Sequence, residues 1–440
     1  MHIKKHLSFK SLRKSLSKHI ESFPDARHEG KLSYSQHDAL MSGFACMYFQ
    51  DPSLLQFQQE MEEAQNRNNL RTLFGVSKIP ESTQLKEIID NIPSTHFRGI
   101  FNEYFYQLQR GKHLEEYRFI DGLYLCSIDG TQYFSSEKIQ CKKCLTKTHR
   151  DGNVHYSHQV LQCAIMHPDK SEVIPLMPED ISNRDGNKKQ DIELTASKRL
   201  IPKIRKDHPQ LGVIIVGDDL YSKQPFIETI LSERMHYILV AKPSDHKIMM
   251  RNIELNKAKV KTIEKEFKER IYKYEWVSDI ELNGREDTLS TNYFRLQIIK
   301  KDKLGNQKIT ATHSWITDLR VTEENVEKLV KGGRSRWKIE NECFNTLKNQ
   351  GYHLEHNYGH GEKNLSYNFY LLTLLAFYFH QIFELTDKLY KANRAKFGSK
   401  VHMWGTLRAY INLLVFDSWE DLLKFALNPD DYNLSWIPPP

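Results

Sequence analysis

Residues 211–219 read Leu-Gly-Val-Ile-Ile-Val-Gly-Asp-Asp. The run has no polar–apolar alternation before its two terminal carboxylates, which is the pattern of a strand buried on both faces. Such a strand needs helices covering its sheet, and helical patterns flank it. Residues 189–206 carry an apolar stripe through Ile192, Leu194, Ala196, Leu200, Ile201 and Ile204, and 225–233 form a shorter helix before a strand at 237–241. Upstream, 123–134 (Leu-Tyr-Leu-Cys-Ser-Ile-Asp-Gly-Thr-Gln-Tyr-Phe), 155–167 and 171–177 read as successive strands. Strands in series, then alternating helix and strand, imply an α/β fold with a mixed sheet and flanking helices.

Further out the pattern changes. Residues 1–112 read as an all-helical N-terminal domain, with periodic apolar positions at Leu40, Phe44, Met47, Leu54, Leu55 and Phe57 and again at Leu85, Ile88 and Ile89. Ser94 is placed to cap a helix carrying Phe97, Ile100, Phe101, Tyr104, Phe105 and Leu108. Residues 76–92 read as two short helices about a turn at Ile79-Pro80, the second capped by Ser82. That unit is either a groove-binding helix–turn–helix or, preferred here, an αα-corner within a bundle. Residues 113–242 hold the first part of the α/β core. A β-rich insertion covers 243–318, with strands at 270–276, 293–300 and 308–317, and its mixed-charge run 257–273 reads as solvated surface. The second part of the core, 319–390, is helical, as is a C-terminal segment, 391–440, ending in Pro438-Pro439-Pro440.

Composition narrows the class without deciding it. The 440 residues carry 63 Lys+Arg against 56 Asp+Glu, a net +7 that favours a polyanionic partner only weakly. The longest apolar run, Phe369–Phe379, is about half the roughly 20 residues that span a bilayer, so it reads as a buried core helix. The basic start (Lys4, Lys5, Lys10, Arg13, Lys14, Lys18) has no apolar segment after it, and the six Cys are too scattered for a disulfide scaffold. A soluble, cytoplasmic protein of several domains with no membrane partner is expected. Neither a Walker-type loop nor a Gly-rich dinucleotide fingerprint occurs, so no nucleotide cofactor is expected.

Three acids stand where a fold alone would not put them. Asp129 interrupts an apolar strand beside Gly130, and Asp218 and Asp219 end the most apolar strand in the chain. The carboxyl edge of an α/β sheet is the usual ligand position. Periodicity does not choose between Asp218 and Asp219. On a helix spanning 334–349, an advance of 100° per residue puts Glu340 with Trp337, Ile339, Cys343, Phe344 and Leu347 on the docking face, and Glu342 with Lys338 on the solvent face. A carboxylate turned to a core needs a partner or a metal, and Arg336, four residues back, is the candidate ion-pair partner. Three carboxylates converging on one sheet edge form a site for Mg²⁺, for which Mn²⁺ commonly substitutes. Two ions about 3.5–4 Å apart suit in-line phosphodiester displacement.

The stretches Ile-Asp-Gly-Thr-Gln-Tyr-Phe (128–134), Val-Ile-Ile-Val-Gly-Asp-Asp-Leu-Tyr (213–221), His-Ser-Trp-Ile-Thr-Asp-Leu (313–319) and 336–361 resemble a DDE insertion-sequence transposase of the cut-and-paste type. In that family an RNase H-like core is interrupted by a β-strand insertion between the second Asp and the Glu. The resemblance covers about 115–385 and implies Asp129, Asp218 and Glu340 as catalytic metal ligands, the Gly217-Asp218-Asp219-Leu220-Tyr221 alignment selecting Asp218. It implies Arg336 and Lys348 as phosphate contacts and Trp315 as a base-stacking residue. Gly333 stands where the family motif has Tyr, Lys348 falls one residue late, and Tyr352 is a candidate substitute for the Tyr. The implied activity is metal-dependent hydrolysis at transposon ends with strand transfer into target DNA. The implied partners are double-stranded DNA and a second copy in a homodimeric synaptic complex. A repressor that has lost catalysis and a nuclease without strand transfer are the alternatives.

Cys141-x-x-Cys144 with His149, His155, His158 and Cys163 has partial zinc-ligand composition, but there is no second cysteine pair at finger spacing. Zinc is therefore not the expectation, and His353, His356 and His360 read as loop histidines.

Overall fold

The structure, a computed structural model, describes residues 5–25, 27, 33–63, 68–183, 190–301 and 307–432. The chain before Lys5, Lys189 and the Pro438–Pro440 tail lie outside these residues. The N-terminal helices are α1 (Phe9–Glu21), α2 (Gln36–Tyr48), α3 (Leu54–Glu63), α4 (Asn69–Phe74), α5 (Ser82–Asp90) and α6 (Arg98–Arg110). Strands β1 (Tyr124–Ser136), β2 (Leu145–Thr148), β3 (Val154–Met166), β4 (Ile174–Pro175) and β5 (Glu179–Ile181) follow, then α7 (Glu193–Asp207), β6 (Val213–Gly217), α8 (Gln224–Ser232) and β7 (His236–Val240). Next come α9 (Lys247–Leu255) and the long strands β8 (Lys261–Phe267), β9 (Arg270–Glu281), β10 (Ser290–Lys301) and β11 (Gln307–Thr317). The chain closes with α10 (Val326–Arg334), a π turn (Ile339–Phe344), α11 (Asn345–Asn349), α12 (Leu365–Thr386), α13 (Lys388–Phe397), α14 (Lys400–Leu413) and α15 (Trp419–Leu427).

All five residues of β6 are buried, as its unbroken apolar run requires. It pairs in parallel with β1 on one side and β7 on the other, while β3 runs antiparallel to β1. The sheet order β2-β3-β1-β6-β7-β11-β10-β9-β8 is continuous, so the inserted strands extend the core sheet through β11, antiparallel to β7. The outermost strand β8 is almost wholly exposed and charged, a composition that discourages edge pairing.

Helix α12 is the hub of the helical part. It is 22 residues long and apolar enough to cross a bilayer, yet 83% of its most apolar window is buried inside the protein. It packs on α2, α5 and β4, and Asn368 donates to the carbonyls of Ile89 and Ile92, both at 2.8 Å. Helices from the two ends of the chain share one aromatic core, with Phe9 stacked on Trp419 and Tyr48 against Trp404.

Two local expectations fail. No helix occupies 76–79: α4 stops at left-handed Gly75, and α5 begins after Glu81 without a side-chain cap. Leu85, Ile88 and Ile89 are then spent on α2 and α12, so neither the helix–turn–helix nor the αα-corner forms at 76–92. Ser94 does not cap α6 either. It opens a short 3₁₀ turn, and its hydroxyl donates to Asn368 at 2.7 Å.

Candidate active site

The parallel ladder between β1 and β6 pairs Ser127 with Val216 as its last row. Asp129 and Asp218 each lie two residues beyond that row, so the register brings both to the same level at the carboxyl edge and, with a period of two, to the same face. Asp218 caps the 3₁₀ turn that follows and accepts the Leu220 amide at 2.9 Å. Asp219 turns elsewhere: it is buried, 3.2 Å from the Lys242 ammonium and beside Asp245. Among the neighbours that act on Asp129 is Asp218, together with Glu193 and Glu340.

Glu340 reaches this edge by a route the helical wheel misses. The helix expected over 334–349 is broken: α10 ends at Arg334, and Ile339–Phe344 is a π turn. The broken winding shifts residues away from a constant 100°, so Glu340 and Trp337 turn outward and Lys338 inward, while Ile339, Cys343, Phe344 and Leu347 stay buried as expected. Glu340 is 48% exposed and Trp337 43% exposed, whereas Lys338 is buried and donates to the Lys170 carbonyl at 2.6 Å. Arg336 joins the two parts. Its guanidinium pairs with Glu340 and stands 3.5 Å from Asp129. Glu342 contributes instead to the field at Lys400, whose side chain belongs to α14.

A fourth carboxylate has no signal in the sequence. Glu193 begins α7 and accepts the Tyr221 hydroxyl. It sits directly over Gly130, where a side chain would fall 2.7 Å from the Glu193 carboxyl carbon, so glycine is what lets helix and strand approach. Only its place at a helix start, after a segment without pattern, could have hinted at it.

The electrostatics follow from this crowding. Burial, reinforced by Glu193, Glu340 and Asp218 against the opposing pull of Arg336, pushes the Asp129 carboxyl up to about 7. Glu193 is also raised, first by burial and then by Asp218. Four carboxylates against one guanidinium leave uncompensated negative charge at an open edge. That donor set fits a hard divalent cation.

Three DNA-contact expectations land differently. Trp315, on β11, is 2% exposed and stacked on Phe294 beneath Gly333, so it is a packing residue and not a base platform. A side chain at 333 would lie 2.6–2.8 Å from the Trp315 indole, which explains why glycine stands where a Tyr was expected. Tyr352 is 3% exposed with its hydroxyl on His380 at 2.5 Å, committed to the core. Lys348 is half-buried and paired with Glu355 at 2.8 Å, outside the carboxylate group.

A sheet with parallel β1-β6-β7, antiparallel β3 and carboxylates on its edge defines the RNase H-like class. Residues 176–378 match the family described as Transposase DDE domain, a span that takes in Glu193, Asp218 and Glu340. Over that span the chain is similar to the DDE domain of transposases, a family whose members act on DNA and generally use divalent metals. No curated protein matches it.

Proposed function

We propose that the chain hydrolyses a phosphodiester at the ends of its own mobile element and joins the freed 3′-hydroxyl to target DNA, with Asp129, Asp218 and Glu340 holding two Mg²⁺ ions. Its chief support is the register, which carries Asp129 and Asp218 off adjacent parallel strands at one level, with Glu340 tied to Asp129 through Arg336. Ions bound there would lower the pKa of the attacking water or 3′-hydroxyl and neutralise charge on the phosphate.

The chain's own groups prepare that chemistry. Asp129, held near a pKa of 7, is poised to give up its proton as a cation arrives. Arg336 holds Glu340 beside Asp129 and presents a guanidinium to a phosphate once the carboxylates turn to cations. The Tyr221 hydroxyl ties Glu193 of α7 to the turn after β6, and Glu193 lies against Gly130 of β1 behind the edge. Trp337, exposed beside Arg336, takes over the stacking role proposed for an unpaired base, an interaction of roughly 1–3 kcal/mol. Two such sites in a homodimer would process two ends together.

The test is an assay on a plasmid carrying the element's terminal repeats, with a second plasmid as target. Mg²⁺-dependent nicks at the ends and joined products are expected. Nicks without joining would reduce the proposal to a nuclease, and binding without nicks would make the chain a repressor.

A further inference from the structure

Away from the carboxylate edge, four side chains converge from three separate parts of the chain. Cys141 and Cys144 lie in the loop between β1 and β2, His158 is on β3, and His360 lies in the loop between α11 and α12. Their ligand atoms are within 4.8 Å of one another. The two sulfurs are 3.8 Å apart; His158 Nε2 is 3.6 Å from Cys141 Sγ and 3.4 Å from Cys144 Sγ. His360 Nε2 is 3.5 Å from Cys144 Sγ and 3.1 Å from His158 Nε2.

These lengths match the edges of one tetrahedron. With Zn–S about 2.3 Å and Zn–N about 2.0–2.1 Å, ideal edges are about 3.8 Å for S–S, about 3.5 Å for S–N and about 3.3 Å for N–N. A disulfide would need the sulfurs about 2.05 Å apart. A two-iron cluster that divides its His and Cys ligands between metals would hold sulfur and nitrogen further apart than one ion's coordination edge. Hydrogen bonding alone accounts poorly for two Nε2 atoms facing each other and sharing the same thiol neighbour. The second shell agrees. His360 Nδ1 is 2.9 Å from the Gly361 carbonyl, which fixes the proton there and leaves Nε2 as the ligand.

We propose that Cys141, Cys144, His158 and His360 bind one structural Zn²⁺. Four protein ligands in a tetrahedron leave no open position, the mark of a structural and not a catalytic zinc. Binding takes the two thiolates and releases their protons. The ion would fasten the loop that follows the Glu340-bearing segment to the hairpin that carries Asp129. Around it the same two segments are already joined, since the Lys143 ammonium donates to the Lys363 carbonyl at 2.7 Å and to Asn364 at 3.0 Å. The sequence hid the site because Cys144 and His360 are 216 positions apart. His155 pairs with Glu137 at 3.0 Å and packs on His149, and Cys163 is buried within β3, so none of these three belongs to the set.

Metal analysis of the full chain, purified without chelators and with zinc in the growth medium, is expected to give about one zinc per chain. Replacement by Co²⁺ should produce the intense visible bands of a tetrahedral ion with sulfur-to-cobalt charge transfer. Folded protein with no stoichiometric zinc, or an octahedral cobalt spectrum, would overturn the proposal. His360→Ala is expected to lose the zinc. Should that variant not fold, His360→Cys keeps the zinc and shifts the cobalt charge-transfer band, and an unshifted band counts against His360. Asp129→Asn separates this site from the carboxylate edge: zinc retained supports the proposal, and zinc lost there but kept in His360→Ala refutes it.

Discussion

Replacing Asp129 with Asn is expected to make the metal-free protein more stable at neutral pH. Burial and the carboxylates around it raise the Asp129 carboxyl from 3.8 to about 7. Those three units correspond to about 4 kcal/mol at 1.36 kcal/mol per unit, an upper bound because local relaxation softens it. The sign follows from proton binding. The folded carboxyl keeps its proton up to about pH 7, whereas the unfolded chain releases it near 3.8, so the wild type loses stability as pH rises through that window. An amide at 129 does not titrate. The variant's advantage should therefore widen by roughly 2–3 kcal/mol between about pH 5 and pH 7 and stay level above it. Urea unfolding of both proteins in magnesium-free buffer at a series of pH values measures the gap, and added Mg²⁺ should narrow it by stabilising only the wild type. A gap that does not change with pH would refute the crowded-carboxylate reasoning.

Asp218→Asn is expected to weaken Mn²⁺ binding roughly tenfold or more, while Asp219→Asn, which removes a partner of Lys242, leaves it near wild type; electron paramagnetic titration of the ion compares them. Gly333→Ala should cost about 1–3 kcal/mol in urea unfolding, since its new methyl meets the Trp315 indole, and an unchanged midpoint would contradict the packing described. Gly130→Ala forces Glu193 off the sheet edge, so the raised carboxylate pKa values should fall toward ordinary ones, as followed by carboxyl NMR titration. Trp337→Ala should lower end cleavage while leaving the fold intact by circular dichroism, whereas Tyr352→Ala should lower stability through the core.

What could be read from sequence divides along physical lines. β6 and β1 were legible because burial on both faces erases alternation, and a charged residue at the end of such a strand stands out. Glu340 was reached for the wrong reason, since a helical wheel assumes a constant 100° and the π turn at Ile339–Phe344 breaks it. Arg336 as the Glu340 partner was visible, being four residues away, and the pair forms. Glu193 and His360 were invisible because each works only through a contact with a distant segment, Gly130 in one case and Cys144 in the other. Trp315 and Tyr352 misled because aromatic identity does not distinguish a packed ring from a presented one. The inserted strands were legible as strands, but not their continuity with the core sheet, which depends on β11 pairing with β7.

The central claim, that the β1/β6 edge and Glu340 form one metal-dependent site, is tested most directly by Mg²⁺-dependent nicking at the element's ends. Asp129→Ala, Asp218→Ala and Glu340→Gln should each abolish nicking, with Glu342→Gln fully active. Full activity in Glu340→Gln, or loss confined to Glu342→Gln, would contradict the account.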